Sequence, residues 1–206
     1  MRTIGSVAAL EDFGRIRLSK SFFMRDFLYS DISSFHGIPN VPDDPELAVL
    51  AGRMLCERLL EPLAATFGGI SIRSAYRCCR VNAYGNEHML NCASNERNYA
   101  AHIWDRRDAD GCMGATACVV VRWFADRYAG GADWRGLGWW IHDHLPYFRL
   151  CFFPKLAAFN INWHERPERR IDSFIEPRGC LTKPGMGNHG GGHVEWYQGF
   201  PAPVGG

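Results

Sequence analysis

The sequence predicts an α+β fold: a single domain with a mostly antiparallel sheet and flanking helices. Three observations carry that expectation. An apolar stripe at helical spacing follows an acidic cap near residue 44, several β-branched runs of strand length follow it, and helices and strands do not alternate strictly. The 206 residues fit one compact domain, with 1–176 as its body and 177–206 as a Gly/Pro-rich tail wrapping over it.

The first helix opens at Asp43-Asp44-Pro45-Glu46, where an Asp caps free N–H groups, Pro45 suits the first turn and Glu46 complements the dipole. Leu47, Leu50, Met54, Leu55 and Leu59 form its buried stripe, and Pro62 marks a kink or an end. Gly68-Gly69 stops the chain before a strand over 70–75. The β-branched run 115–121 reads as a buried strand. Leu137, Trp140 and Ile141 indicate a helix over 134–145, closed by Pro146, with Trp139-Trp140-Ile141 as core. Strands over 147–153 and 156–163, joined at Pro154-Lys155, form a hairpin. All four strands are expected in one sheet, with the helix from Asp44 to Leu60 on one face. From Pro177 the glycines and prolines predict little regular structure, and 188–193 reads most simply as a mobile loop, of a kind that can also close on substrate.

Hydrophobic residues at 47% and charged residues at 22% exclude wholesale disorder, collagen repeats and coiled coil. Lys+Arg 23 against Asp+Glu 22, a net charge of +1, argues against a broad basic face for nucleic acid. No apolar run approaches the roughly 20 residues of a membrane span, and the first 20 residues, broken by Glu11 and Asp12, do not read as a secretory leader, so synthesis in a reducing cytoplasm is expected. The 8 cysteines include no CxxC pair and read mostly as buried thiols.

The 8 histidines show no HExxH, so spacing alone declares no metal site. Position says more: His164 ends an expected strand between Trp163 and Glu165, and His102 lies in a polar loop before the second strand. The segments Leu18-Ser19-Lys20-Ser21-Phe22-Phe23-Met24-Arg25-Asp26-Phe27, Ser30-Asp31, Leu60-Glu61-Pro62-Leu63 and Ile72-Arg73-Ser74-Ala75-Tyr76-Arg77 with Val81-Asn82 resemble, in order and spacing, the M15-type peptidases of the Hedgehog/DD-peptidase fold, which include D-Ala-D-Ala carboxypeptidases. The resemblance covers roughly residues 18–84. It implies a zinc (Zn2+) metallopeptidase that hydrolyses peptide bonds of bacterial peptidoglycan, as carboxypeptidase or endopeptidase, in the manner of a phage endolysin.

The resemblance also implies roles. Arg77 would steady a substrate carbonyl or carboxylate, with Tyr76 and Asn82 beside it in substrate binding. His102 matches the first zinc ligand and His164 the last. Gly114-Ala115-Thr116-Ala117-Cys118 fits the family's Gly-x-Ala-x-Asp strand with Cys118 in the Asp position and with an insertion, Trp104–Met113, lengthening the gap after His102; Asp110 or Asp108 from that inserted turn is the oxygen alternative. Three positions before His164, where the family has an acid, stands Ile161, so the base falls to Glu165, His142, Asp143 or His144. Cys118 read alone is a packed hydrophobe, and Arg77 read alone ties down a loop. The missing acid favours a second class of function, a catalytically inactive cell-wall-binding or virion module. A His-Cys-His site serving another hydrolysis, such as an amidase reaction, is the third. The implied partners are the peptidoglycan stem peptide and other virion proteins, with action at the wall after lysis or from a virion.

Overall fold

Asp44, Pro45 and Glu46 open a helix as their chemistry requires: in the computed structural model the Asp44 carboxylate accepts from the Leu47 N–H at 3.0 Å and Pro45 stands in the first turn. The structure describes residues 4–204; residues 1–3, the start of the stretch that does not read as a secretory leader, and 205–206 of the tail lie outside the described residues. The helices are α1 (Val7–Gly14), α2 (Asp31–His36), α3 (Pro45–Leu55), α4 (Glu61–Phe67), α5 (Cys79–Glu87), α6 (Asn95–Asn98), α7 (Arg122–Ala129) and α8 (Trp134–His144). The strands are β1 (Ile70–Ser74), β2 (Gly114–Val121), β3 (Arg149–Phe152), β4 (Phe159–His164), β5 (Arg170–Ser173) and β6 (Gly179–Thr182). They form a six-stranded mixed sheet in the order β1-β2-β4-β3-β5-β6, so the chain is α+β.

All four expected strands lie in this sheet. The hairpin is tighter in its strands and longer in its turn than its sequence indicated. β3 and β4 pair antiparallel with Leu150 opposite Ile161, and between them Lys155–Ala157 makes a 3-10 turn in which Leu156 and Ala157 take positive φ. β5 then pairs parallel with β3. The chain reaches it from β4 by residues 165–169, which cross the end of β3, a span of about 10 Å at two strand spacings. The segment read as an irregular tail supplies β6, antiparallel to β5. No helix among the described residues is long and apolar enough to cross a membrane.

Between α3 and α4 the residues Cys56–Leu60 form a π-helical turn. Pro62 lacks the N–H that would bond the Arg58 carbonyl, and its ring crowds that carbonyl, so the helix widens there instead of continuing regularly. The expected kink is this turn.

Two compact units divide the chain: residues up to Glu57 with Ser74–Ala117, and Arg58–Arg73 with the residues from Cys118 onward. The first is organised on Trp104, fully buried, whose ring lies 5.4 Å from Phe27 and 5.9 Å from Tyr76 and whose indole N–H donates to the Thr116 carbonyl. The second centres on α8 against aromatic rings: Trp134 lies 5.0 Å from Phe152, Phe152 lies 4.8 Å from Phe159, and Trp140 lies 4.6 Å from Phe67. Trp139, Trp140 and Ile141 are buried, as core requires.

One glycine in the first unit is fixed by close approach. A Cβ on Gly52 would sit 2.9 Å from the Trp104 ring and 3.1 Å from Leu18. Alanine gains about 1 kcal/mol of helix propensity, and the overpacking costs about 1–3 kcal/mol. Gly52→Ala is therefore expected to lower stability by about 1 kcal/mol in chemical denaturation. A raised midpoint would mean that the indole shifts freely.

Candidate metal centre

The inserted turn Asp108-Ala109-Asp110-Gly111-Cys112 closes on itself. Its first carboxylate accepts from the backbone N–H of Asp110 at 3.0 Å and of Cys112 at 2.8 Å. The Asp108 N–H donates to the Cys112 carbonyl at 3.0 Å, the Gly111 N–H donates to the Asp108 carbonyl, and Gly111 takes a φ of 77° that its missing side chain permits. An Asp and a buried Cys four residues apart are thus fixed side by side, a carboxylate and a thiol at one turn.

His164 closes β4, buried, with the Phe148 ring stacked on it at 4.4 Å. Its Nδ1 lies 3.0 Å from the Arg166 N–H and 3.3 Å from the Arg166 carbonyl oxygen. With Nδ1 accepting from the Arg166 N–H, the neutral ring carries its proton on Nε2. The carboxylate of Asp108 and the thiol of Cys112, held on one turn, are both of a type that ligates zinc as well as other metals.

Of the residues singled out from sequence, Asp108 lies on this turn, beside Cys112, and His164 ends β4. His102 is buried with Nδ1 2.7 Å from the Ala75 carbonyl oxygen, and burial, then the Arg77 charge, push it down to about 3. Burial pushes the Cys118 thiol up to about 11, a state in which it stays protonated near neutral pH. Asp110 is exposed at the tip of the turn. Cys112 is the residue that sequence reasoning missed; the signal was its place four residues after an Asp across a Gly turn.

The remaining candidates have internal partners. Arg77 donates through its backbone to the His102 carbonyl and through one guanidinium nitrogen to Cys92 Sγ, each a loop tie, while its buried Nε has no partner. Asn82 is fully buried: its amide donates to the Ala93 carbonyl and the Asn95 side chain, and its oxygen accepts from Asn98. Tyr76 is buried beside Asp105, whose carboxylate accepts from the Asp43 and Asp44 N–H groups; burial and then that acid hold the phenol above its ordinary range.

Glu165, just past β4, is exposed. Ile161 is fully buried opposite Leu150. Residues three apart on a strand face opposite sides, so an acid at 161 would point away from His164.

His142 and Asp143, read as possible bases, lie in a separate cluster of the second unit. His142 Nε2–H donates to the His189 carbonyl at 2.9 Å and Nδ1 accepts from the Tyr147 hydroxyl at 2.7 Å, the neutral pattern; burial foremost holds its pKa down. Asp143 accepts from the His193 N–H and from the Tyr197 hydroxyl, and its other oxygen lies 2.8 Å from His193 Nδ1. His144 is exposed, its ring 4.9 Å from Trp140.

Compared with family models, with curated proteins and with solved structures, the chain matches none.

Proposed function

We propose that the chain is a zinc-dependent hydrolase that cleaves peptide bonds of peptidoglycan stem peptides, with Asp108 and Cys112 among its ligands. The observation that supports this reading is the carboxylate and the buried thiol held side by side on one closed turn. When bound, the metal supplies Lewis acidity toward a scissile carbonyl. The Asp108 carboxylate is held in place by two backbone N–H groups. Glu165, exposed beside His164, takes the role of proton acceptor. The choice of peptidoglycan peptides rests on the resemblance around Arg77, and the placement at the wall or in a virion rests there too.

A second reading, a wall-binding or virion module without catalysis, is favoured by Ile161, a buried core residue where the family carries its acid. One experiment separates the two: metal analysis of the purified chain, with digestion of purified peptidoglycan followed by product mass analysis, with and without chelator. The hydrolase reading expects about one zinc per chain and new peptide termini that vanish with chelator. Zinc and wall binding without new termini would establish the module instead.

A further inference from the structure

Beyond the metal-dependent reading, we propose that the cavity between the end of α8 and the loop 189–192 is a binding site for a small oxyanion, a phosphate- or carboxylate-bearing molecule, gripped by Arg169. The cavity holds about 540 Å³, within the range of small-molecule sites.

Its charges are unequally matched. Asp143, the carboxylate on its wall, is committed to the His193 N–H, the His193 ring and the Tyr197 hydroxyl, each at 2.8 Å. Arg169, which also lines the cavity, donates one terminal nitrogen to the His142 carbonyl and, among the described residues, has no carboxylate partner and carries a buried Nε without a hydrogen-bond partner. A guanidinium presents a planar fork of donors that matches an oxyanion. Arg169 is also held at a φ of 58°, a left-handed conformation rare for a side chain of its size, at the end of the crossover that leads into β5.

The same cavity is lined by Gly190-Gly191-Gly192. No backbone N–H of these three donates to a protein acceptor among the described residues, and a Cβ at each position would meet open space, so no side chain shields them. Successive free N–H groups with a glycine at positive φ, here Gly191 at 89°, form the kind of concavity that receives anions. Burial first, and next the Arg169 charge, hold His189 below the ordinary histidine range, as expected where positive charge lacks a counter-ion. An oxyanion between the guanidinium and the glycine N–H groups satisfies both sides at once.

The test uses the whole chain in chelator, so that zinc bound elsewhere plays no part. Inorganic phosphate in one arm and acetate in another are titrated while the backbone amide resonances of 190–192 are followed by NMR. Saturable shifts confined to this loop and its neighbours are expected; the anion that binds more tightly assigns the ligand as phosphate ester or carboxylate. Arg169→Gln should weaken that binding at least tenfold. Arg169→Lys, which keeps the charge and loses the fork, should weaken it several-fold and serves where the Gln variant does not fold. Absence of saturable binding of both anions to the wild-type chain, or equal affinity in the Arg169 variants, overturns the proposal. Loss of the zinc reading would leave these outcomes unchanged.

Discussion

Replacing Cys112 with serine is expected to lower the zinc affinity of the chain by roughly 100-fold or more, whereas Cys118→Ser leaves it unchanged. Zinc takes the thiolate: burial in β2 pushes the Cys118 thiol up to about 11, and Cys112 stands beside Asp108 in a turn that the Asp108 carboxylate holds closed. Asp108→Asn is the informative companion. The Asn side-chain oxygen can still accept from the Asp110 and Cys112 N–H groups, so the turn survives while the anionic ligand is lost. Competition with a chromophoric chelator, with the unfolding midpoint of the metal-free protein as a control, reads both effects. Full affinity in Cys112→Ser would remove Cys112 from the ligand set and return the question to Cys118.

The second large effect concerns acid. His102 is buried and held down to about 3, against about 6.5 for an exposed histidine. As pH falls below about 6.5 the unfolded chain takes up a proton that the folded chain refuses, so stability drops through that window and stops dropping near pH 3. At 1.36 kcal/mol per pKa unit the loss approaches ~5 kcal/mol. His142 and His189, whose pKa values are also lowered chiefly by burial, add to the same slope. His102→Gln should remove one proton's share of it. Denaturant unfolding of the metal-free chain at pH 7, 5.5 and 4 measures the slope; an unchanged slope in the variant would mean that His102 titrates normally.

Much of the fold was legible because its signals are local. Asp44, Pro45 and Glu46 announce α3, Pro62 announces the π-helical turn, and the β-branched run of β2 needs no partner to be recognised. β5 was not legible: Arg170-Ile171-Asp172-Ser173 has one apolar residue in four, and its strand character comes from pairing with β3, more than twenty residues earlier. β6 lies among glycines that favour turns, and β5 alone makes it a strand. Among the candidate residues, His164 stood out as a polar residue ending an apolar strand, and Asp108 as an acid in an inserted turn. Cys112 did not, because a cysteine among small residues reads as packing until the turn that closes on it is known. The cluster around Arg169 was hidden for a similar reason: its parts, 142–144, 169 and 189–197, are brought together by tertiary structure alone.

The order of the sheet also bears on how the protein behaves in concentrated solution. Its margins are β1 and β6, and a margin offers unpaired N–H and C=O groups on which another molecule can add a strand. Both margins are blunt. β1 is 5 residues long with an exposed Arg73, and Arg122 donates to the Ser71 hydroxyl at its rim. β6 has 4 residues, pairs with β5 through a register shift, and runs directly into Lys183 and Pro184. Short length, positive charge and a proline each discourage a second copy from docking edge to edge, so crowding favours separate molecules over β-aggregates, and the apolar run most prone to such growth, β2, is shielded in the interior between β1 and β4.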